Sequence, residues 1–243
     1  MKRFYLPFKD FETESIFDLS FYYHKIINVL RLTLQSEILL YNGEGKQLVC
    51  SISKIDNRKK KLFVSIVREE RESNNSIKIT LIQSLIKKAK LEIAIQKAVE
   101  LGVDKIFLLY SERTVAHCSE LNFERLNSII SEACSQCGRA VVPLIYKPVD
   151  WKALSTIKEG NLKFAGSLNG DNFRIEEYKL LPPNSGFQLV VGPEGGFSKE
   201  EEKSLTELSY KLIRLNNNTM RSETASLNML SIFSYLRDVY LQA

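Results

Sequence analysis

The sequence predicts an α/β protein in which a mostly parallel sheet, covered by helices on both faces, follows a small β-barrel or sheet. Up to about residue 70, short strand-forming runs are separated by polar turns. From Ile77 onward, strand-length apolar runs alternate with stretches whose apolar residues recur at helical spacing. Such alternation is typical of a parallel sheet with helices packed on it.

The composition favours a folded chain of one domain or two unequal ones. The 243 residues are 44% hydrophobic and 10% aromatic, which is enough for a sizeable core and excludes wholesale disorder. The basic start at Lys2 and Arg3 is interrupted by acidic residues before any apolar signal region, and the apolar runs are too short to span a membrane. We therefore expect a soluble, cytoplasmic protein without a membrane partner.

Positive charge is concentrated at the amino end. Of the net charge of +5, residues 1–61 carry +4, because they hold eleven Lys and Arg against seven Asp and Glu. A basic end suits contact with a polyanion such as RNA. The run Arg58–Lys61 taken alone fits the solvated tip of a hairpin equally well.

In the first part, a hairpin is predicted from Ser36–Tyr41 and Gln47–Ile52, joined at Asn42-Gly43. Asn-Gly between apolar runs is a strong hairpin signal. A third strand is predicted at Leu62–Val67, and the polar stretch Arg68–Ser76 has the composition of a linker.

In the second part, glycines punctuate the predicted elements: one helix stops at Gly102 and another at Gly138. Ligands of such folds bind beyond the carboxyl ends of the strands. The predicted strands are Ile77–Ile82, Lys105–Tyr110, Val141–Ile145, Leu162–Ala165 and Phe187–Val191, and the predicted helices are Lys87–Leu101, Phe123–Cys137 and Trp151–Lys158.

The most informative segment is the glycine-rich loop 192–196, Gly-Pro-Glu-Gly-Gly, which follows the most apolar strand. Ser198 and Glu201 form a capping box that begins a helix after it. Bare backbone N–H groups at a strand end allow close approach of a ligand. The loop lacks both the dinucleotide fingerprint and the Lys-Ser/Thr of a P-loop, which disfavours nucleotide phosphate. Alone, it fits a structural turn equally well.

A second segment, residues 212–225, again runs from a short strand through a polar loop into a helix. Arg221, Glu223 and Thr224 are expected to cluster at the helix start. A structural explanation is equally open, in which Ser222 caps the helix, Glu223 complements its dipole and Arg221 pairs with an acid.

The cysteines predict neither disulfides nor a metal site. Cys134 and Cys137 form a C-x-x-C, but they lie on the apolar face of a predicted helix, and no second pair accompanies them. Cys50 and Cys118 complete the set. We expect reduced thiols and no metal.

Taken together, the two loops resemble the signature pair of the ribosomal RNA uridine-N(3) methyltransferase family of the SPOUT superfamily. Further matches in the family's order cover nearly the whole chain: His24 with Val29-Leu30-Arg31, the helix Ile95–Val103, Ser111-Glu112-Arg113, and the segment 132–143 with Glu132, Gln136, Gly138 and Arg139. The sequence departs from the family pattern at Lys25, where a second histidine is usual, at Gln35-Ser36, and at Asn216 and Asn218.

The resemblance implies a fold that periodicity cannot reveal. Residues 1–72 would form a PUA-like β-barrel that binds RNA, and residues 73–243 a SPOUT methyltransferase domain with a C-terminal trefoil knot. It further implies a homodimer that uses S-adenosylmethionine to methylate a uridine N3 of 16S ribosomal RNA in the small ribosomal subunit, without a metal.

The resemblance also implies site residues. Arg221 would stabilise charge on the uracil oxygens, and Glu223 or Glu194 would orient it or act as base. Phosphate contacts would come from Arg3, His24, Lys25 and Arg31. The cofactor would contact Gly192, Pro193, Glu194, Gly195, Gly196, Leu215, Asn216, Met220 and Thr224. Ala165 and Gly166 are expected there too, but only from their position at the neighbouring strand end.

Three alternatives stay open. The enzyme could methylate another RNA atom or another RNA, since neither loop specifies the acceptor. The chain could be a non-catalytic RNA-binding factor of ribosome assembly, although both loops are retained. A Rossmann-type dehydrogenase is remote, because the dinucleotide fingerprint is absent.

Overall fold

The computed structural model describes residues 1–6, 15–71, 77–115, 121–178 and 185–240. The chain divides into two compact units. The first comprises Met1–Asn74 with Cys134–Val142, and the second comprises Asn75–Ala133 with Pro143–Ala243. The sequence places residues 134–142 in the second domain, whereas the contacts group them with the first unit.

The first unit contains a five-stranded sheet in the order β1-β3-β4-β5-β2. Its core includes Phe4, Ile38 and Val64 from the strands, together with Tyr23 and Ile26 from the short helical segments between β2 and β3. The elements are β1 (Lys2–Tyr5), β2 (Ile16–Asp18), a 3-10 turn (Ser20–Tyr22), a π-helical segment (His24–Val29), β3 (Glu37–Tyr41), β4 (Lys46–Asp56) and β5 (Lys61–Arg71).

Two features of this sheet differ from the prediction. The strand predicted at Leu62–Val67 continues to Arg71, so part of the predicted linker is β-structure; residues 72–76 lie outside the described part. The polar residues continue the strand because their backbones pair with β4, as Glu70 does with Gln47. The sequence also gave no sign of β1, which pairs in parallel with β3.

The second unit contains a six-stranded sheet in the order β11-β9-β10-β6-β7-β8, in which every pairing is parallel. This confirms the predicted α/β class with a parallel sheet. The elements are β6 (Lys78–Ser84), α1 (Lys88–Glu100), β7 (Lys105–Leu109), α2 (Phe123–Cys137), β8 (Leu144–Ile145), β9 (Leu162–Asn172), β10 (Gly186–Val191), α3 (Lys199–Glu207), β11 (Lys211–Arg214) and α4 (Ser222–Tyr240).

Three predicted elements of this unit have different bounds. The strand predicted at Val141–Ile145 is reduced to β8, and Val141 makes only isolated bridges. The segment predicted as a helix from Trp151 is a 3-10 turn, Trp151–Thr156. The strand β9 runs well past Ala165, because its far end pairs with β11 after a register shift.

Helices cover both faces of this sheet, as the alternation of side chains along β10 shows. Phe187 packs against Phe233 of α4, with ring centroids 4.9 Å apart. Val190 lies three residues further along β10, so its side chain points to the opposite face. There it belongs to the cluster that contains Leu205 of α3. The aromatic cluster under α4 also includes Phe164, whose ring centroid lies 4.7 Å from that of Phe233.

We predict that Phe233→Ala destabilises the protein by about 3–5 kcal/mol, since it opens a cavity in this aromatic cluster. Phe233 is fully buried, at 0% exposed, whereas Tyr235 on the same helix is 51% exposed. Chemical denaturation should therefore show a much smaller loss for the matched variant Tyr235→Ala. Equal losses would mean that the cluster does not carry the packing of α4.

Candidate functional site

Three segments meet at the carboxyl end of the parallel sheet, where ligands of such folds bind. The loop 192–197 follows β10, the loop 215–221 follows β11, and residues 166–170 bulge out of β9. The bulge arises because β11 pairs with Ala165 at Leu212 and then with Asp171 at Ile213. These segments surround a cavity of about 440 Å³, a volume in the range of small-molecule sites.

The capping box predicted for α3 is present and fixes the exit of the glycine-rich loop. The Ser198 hydroxyl accepts from the Glu201 N–H at 3.2 Å, and the Glu201 carboxylate accepts from the Ser198 N–H at 3.0 Å. The second oxygen of Glu201 accepts from the Glu112 N–H at 2.7 Å. This buried carboxylate therefore joins the loop after β7 to the start of α3.

Arg113 fixes the outer part of the same loop. Its guanidinium donates to the carbonyl oxygens of Gly195 at 2.9 Å and Phe197 at 3.3 Å. A Cβ on Gly195 would lie 3.3 Å from Arg113 side-chain carbons, so a residue without a side chain lets the two pack closely. These hydrogen bonds from Arg113 to loop carbonyls hold the shape of the loop from outside. Its inner side faces the cavity.

A buried polar network joins the two loops. Ser222 donates its hydroxyl proton to the Gly192 carbonyl at 2.5 Å and accepts from the Gln83 side-chain amide at 3.0 Å. Ser226 donates to the amide oxygen of Gln83. The Ser222 hydroxyl therefore holds the loop after β10, a role that its place in the sequence does not reveal.

The predicted partners Arg221 and Glu223 are placed differently from one another. Arg221 is exposed, whereas Glu223 is buried and its carboxylate lies 2.8 Å from the Lys90 ammonium of α1. Burial raises the pKa of Glu223, but the hydrogen bond and charge of Lys90 outweigh it and hold that pKa below its ordinary 4.5. Glu223 is thus an ionised anchor between α1 and α4, poorly suited to accept a proton near neutral pH.

Glu194 and Glu202 are the acidic residues that line the cavity. Glu194 is exposed, and one of its oxygens accepts from the Lys87 N–H at 3.4 Å. Glu202 accepts hydrogen bonds from the Ser167 hydroxyl and, at 3.1 Å, from the Asn169 amide. The cavity therefore has an acid on each of two walls, one beside α1 and one beside the β9 bulge.

Most of the predicted cofactor residues line this cavity: Gly166, Gly192, Pro193, Glu194, Gly195, Gly196, Leu215, Asn216 and Met220. Ala165 does not, because it is fully buried in the cluster beneath α3. Thr224 lies outside the lining as well, exposed on α4. The Asn216 side chain accepts from the Asn218 N–H at 2.8 Å, so it shapes its own loop.

The sequence did not predict part of the lining, because several contributors belong to neither of the two signature loops. The β9 bulge and Glu202 read as ordinary strand and helix surface. The further lining residues are Arg113, Ser167, Leu168, Asn169, Val191, Phe197, Glu202, Ile213, Arg214, Asn218, Thr219, Ser222, Ala225 and Met229.

The predicted phosphate contacts lie in the first unit. His24, Lys25 and Arg31 are exposed and lie in or just after the π-helical segment. Arg3 is half-buried and engaged internally, since it donates to the Gln47 amide oxygen at 2.7 Å and its guanidinium lies 5.8 Å from the centre of the Tyr41 ring. Arg3 is therefore less available than the other three residues for a phosphate contact.

Two negative findings concern the described residues alone. No group of three or more His, Cys, Asp or Glu side chains could hold a metal ion, and no helix is long and apolar enough to cross a membrane. Cys50, Cys134 and Cys137 carry thiols rather than disulfides, and Cys118 lies outside the described part.

Comparison with known proteins identifies the family. An RNA methyltransferase domain matches residues 73–234. A ribosomal RNA small subunit methyltransferase E from Aquifex aeolicus is 32% identical over 78% of this chain and 81% of its own length. The chain belongs to this RNA methyltransferase family. Its counterpart from Rickettsia conorii is 28% identical over 86% of this chain and 84% of its own.

A solved structure shares the fold of this RNA methyltransferase. The ribosomal RNA small subunit methyltransferase E from Neisseria gonorrhoeae, crystallised with S-adenosyl methionine, is 29% identical and superimposes with a TM-score of 0.84. The match covers 97% of this chain and 98% of the other. The likeness therefore includes both units, each with its own fold.

We predict that Lys90→Met destabilises this methyltransferase most at neutral pH. The Glu223 carboxylate has a lowered pKa, so its pairing contributes stability above its ordinary pKa of 4.5, and this is lost as pH falls through the lower folded value. The difference in free energy of unfolding between the wild type and the variant should therefore shrink below pH 4.5. Denaturation from neutral pH to about pH 3 measures it.

The matched control is Lys88→Met, since Lys88 is exposed at the same helix start. Its effect should vary little with pH. A Lys90→Met difference that stays constant across the range would show that Glu223 does not depend on this ion pair.

Proposed function

We propose that this chain transfers the methyl group of S-adenosylmethionine to N3 of a uridine in 16S ribosomal RNA, within the small ribosomal subunit. The observation that carries the proposal is the cavity formed by the two signature loops, in a chain of the RNA methyltransferase family. The names of the relatives support ribosomal RNA as the substrate, and the Neisseria structure supports the cofactor.

The residues of the cavity fit such a cofactor. The three glycines of the loop leave backbone groups accessible, while Leu215 and Met229 supply apolar surface for a base. Arg113 and Glu202 supply charges of opposite sign on separate segments, which suits a ligand with both hydroxyl and amino-acid groups. S-adenosylmethionine, when bound, supplies a methyl group on a positively charged sulfur.

The residues of the chain then have separate tasks. The N3 of uracil carries a proton at neutral pH, so a base must remove it before the nitrogen can attack. Glu194 is our candidate base, since it lines the cavity while Glu223 is committed to Lys90. Arg221, exposed beside the cavity loops, would stabilise the negative charge that develops on the uracil oxygens.

The proposal extends to fold and assembly. We propose that the first unit is a PUA-like barrel that holds RNA through His24, Lys25 and Arg31, and that the second contains a deep trefoil knot. The path of the chain supports the knot, because α4 follows the edge strand β11 yet packs on β6 and β10. From the family resemblance we also propose a homodimer acting in the cytoplasm, where ribosomes are.

The proposed function predicts one product. Purified protein is incubated with methyl-labelled S-adenosylmethionine and small ribosomal subunits from cells that lack the gene, and the RNA is digested for nucleoside mass spectrometry. We expect labelled 3-methyluridine from 16S RNA, in amounts that depend on the enzyme. A label on another base would redirect the proposal to another RNA atom, and binding without transfer would favour a non-catalytic factor.

Arg221→Ala separates chemistry from cofactor binding. Because Arg221 does not line the cavity, we expect methyl transfer to fall by roughly 10²–10³, the effect of losing one charge-stabilising donor, with an unchanged dissociation constant for S-adenosylmethionine. Single-turnover assays and calorimetry give the two quantities. The control Arg174→Ala removes an exposed arginine that is not part of the lining and should keep full activity. A parallel loss of cofactor affinity in Arg221→Ala would contradict this assignment.

A further inference from the structure

Glu202 is a carboxylate that the proposed mechanism does not use, although it lines the cavity. It lies in the first turn of α3 and faces the β9 bulge, where Ser167 and Asn169 donate one hydrogen bond to each of its oxygens. Both donors are neutral. Within the described part of the chain, no Lys, Arg or His forms an ion pair with it.

This arrangement leaves acceptor capacity unused. An ionised carboxylate has about four lone-pair positions, two on each oxygen. The two neutral donors occupy one on each oxygen, so one on each remains for a partner. Glu223 and Glu201, in contrast, do not line the cavity and are bound to Lys90 and to backbone N–H groups. A carboxylate on a cavity wall with two adjacent acceptor positions free suits a ligand that offers two adjacent donors.

The bulge that supports Glu202 is held in place from both ends. A Cβ on Gly170 would lie 2.6 Å from the Ile213 nitrogen, and one on Gly166 would lie 3.3 Å from the sulfur of Met229. The segment between these glycines is therefore packed against β11 and α4. The carboxylate meets its ligand from a preorganised position, which reduces the ordering cost of binding.

We infer that Glu202 is a binding residue for the ribose of the adenosyl group, whose two neighbouring hydroxyls donate to its two oxygens. The inference rests on the proposed use of S-adenosylmethionine and identifies which wall holds which part of that ligand. The amino-acid end is a poorer partner, because the ammonium that the Glu202 carboxylate would attract shares its carbon with a carboxylate that it would repel. A cation suits that carboxylate instead, and Arg113 and Arg214 both line the cavity.

Calorimetry with S-adenosylhomocysteine and its 2′-deoxy and 3′-deoxy forms tests the inference. Glu202→Gln keeps the size of the side chain but removes its charge and one acceptor. We expect it to weaken binding of the full ligand by roughly tenfold or more, as expected for hydrogen bonds to a charged group. Each deoxy form should bind the wild type more weakly, and the variant should bind the deoxy forms nearly as well as the full ligand.

The control Glu200→Gln changes an exposed glutamate in the same turn and should bind all three ligands like the wild type. Ser167→Ala removes one support of Glu202 and should show the same pattern at smaller size, which covers the case that Glu202→Gln fails to fold. Equal weakening of full and deoxy ligands would overturn the ribose assignment. So would unchanged binding of 5′-methylthioadenosine by Glu202→Gln, because that ligand keeps the ribose and lacks the amino acid.

The wild type separates this inference from the function it rests on. Failure of the wild type to bind S-adenosylhomocysteine or S-adenosylmethionine would overturn the proposed function, and this inference with it. Binding by the wild type that is insensitive to the ribose hydroxyls would overturn only the assignment of Glu202.

Discussion

The hydrogen bond from the Ser222 hydroxyl to the Gly192 carbonyl connects the two loops that form the cavity. Gly192 directly follows β10 and Ser222 begins α4, so this contact fixes the distance between the two loops at this point. It lies in a fully buried environment, where an unpaired carbonyl or hydroxyl would cost about 1–3 kcal/mol. The Gln83 side-chain amide donates to the Ser222 hydroxyl and so connects this pair to β6. The shape of the cavity thus depends on three polar groups that must all be paired.

The second constraint is that the glycine-rich loop 192–196 must stay open around the cavity. Glycine-rich backbone loses more conformational entropy on folding than any other, so an open glycine loop needs external support. Arg113 and Glu201 supply this support: Arg113 donates to the carbonyls of Gly195 and Phe197, and Glu201 accepts from the N–H of Ser198 directly after the loop. A loop held from outside stays open on its inner side before any ligand binds, which lowers the entropic cost of binding.

The sequence predicted the parallel sheet and the glycine-rich cavity wall because periodicity, capping boxes and glycines are local signals. Ser198 and Glu201, three residues apart, predict the start of α3. The structure confirms both hydrogen bonds of this capping box. The β9 bulge could not be predicted, since it results from pairing with a strand some 40 residues away. The same is true of Lys90 with Glu223, residues whose proximity depends on how α1 meets α4. The sequence therefore identified the residues of the two loops, but not the pairs of residues that only tertiary packing brings together.

The glutamates near the site show how packing gives one residue type different roles. Glu201 binds two backbone N–H groups and Glu223 binds the Lys90 ammonium between two helices, and neither carboxylate lines the cavity. Glu194 keeps an exposed carboxylate at the cavity, and Glu202 keeps two acceptor positions beside neutral donors. Because only the last two line the cavity, only they can change partners during binding or proton transfer. The chemistry of the cavity is therefore decided by which acids the fold places at its wall.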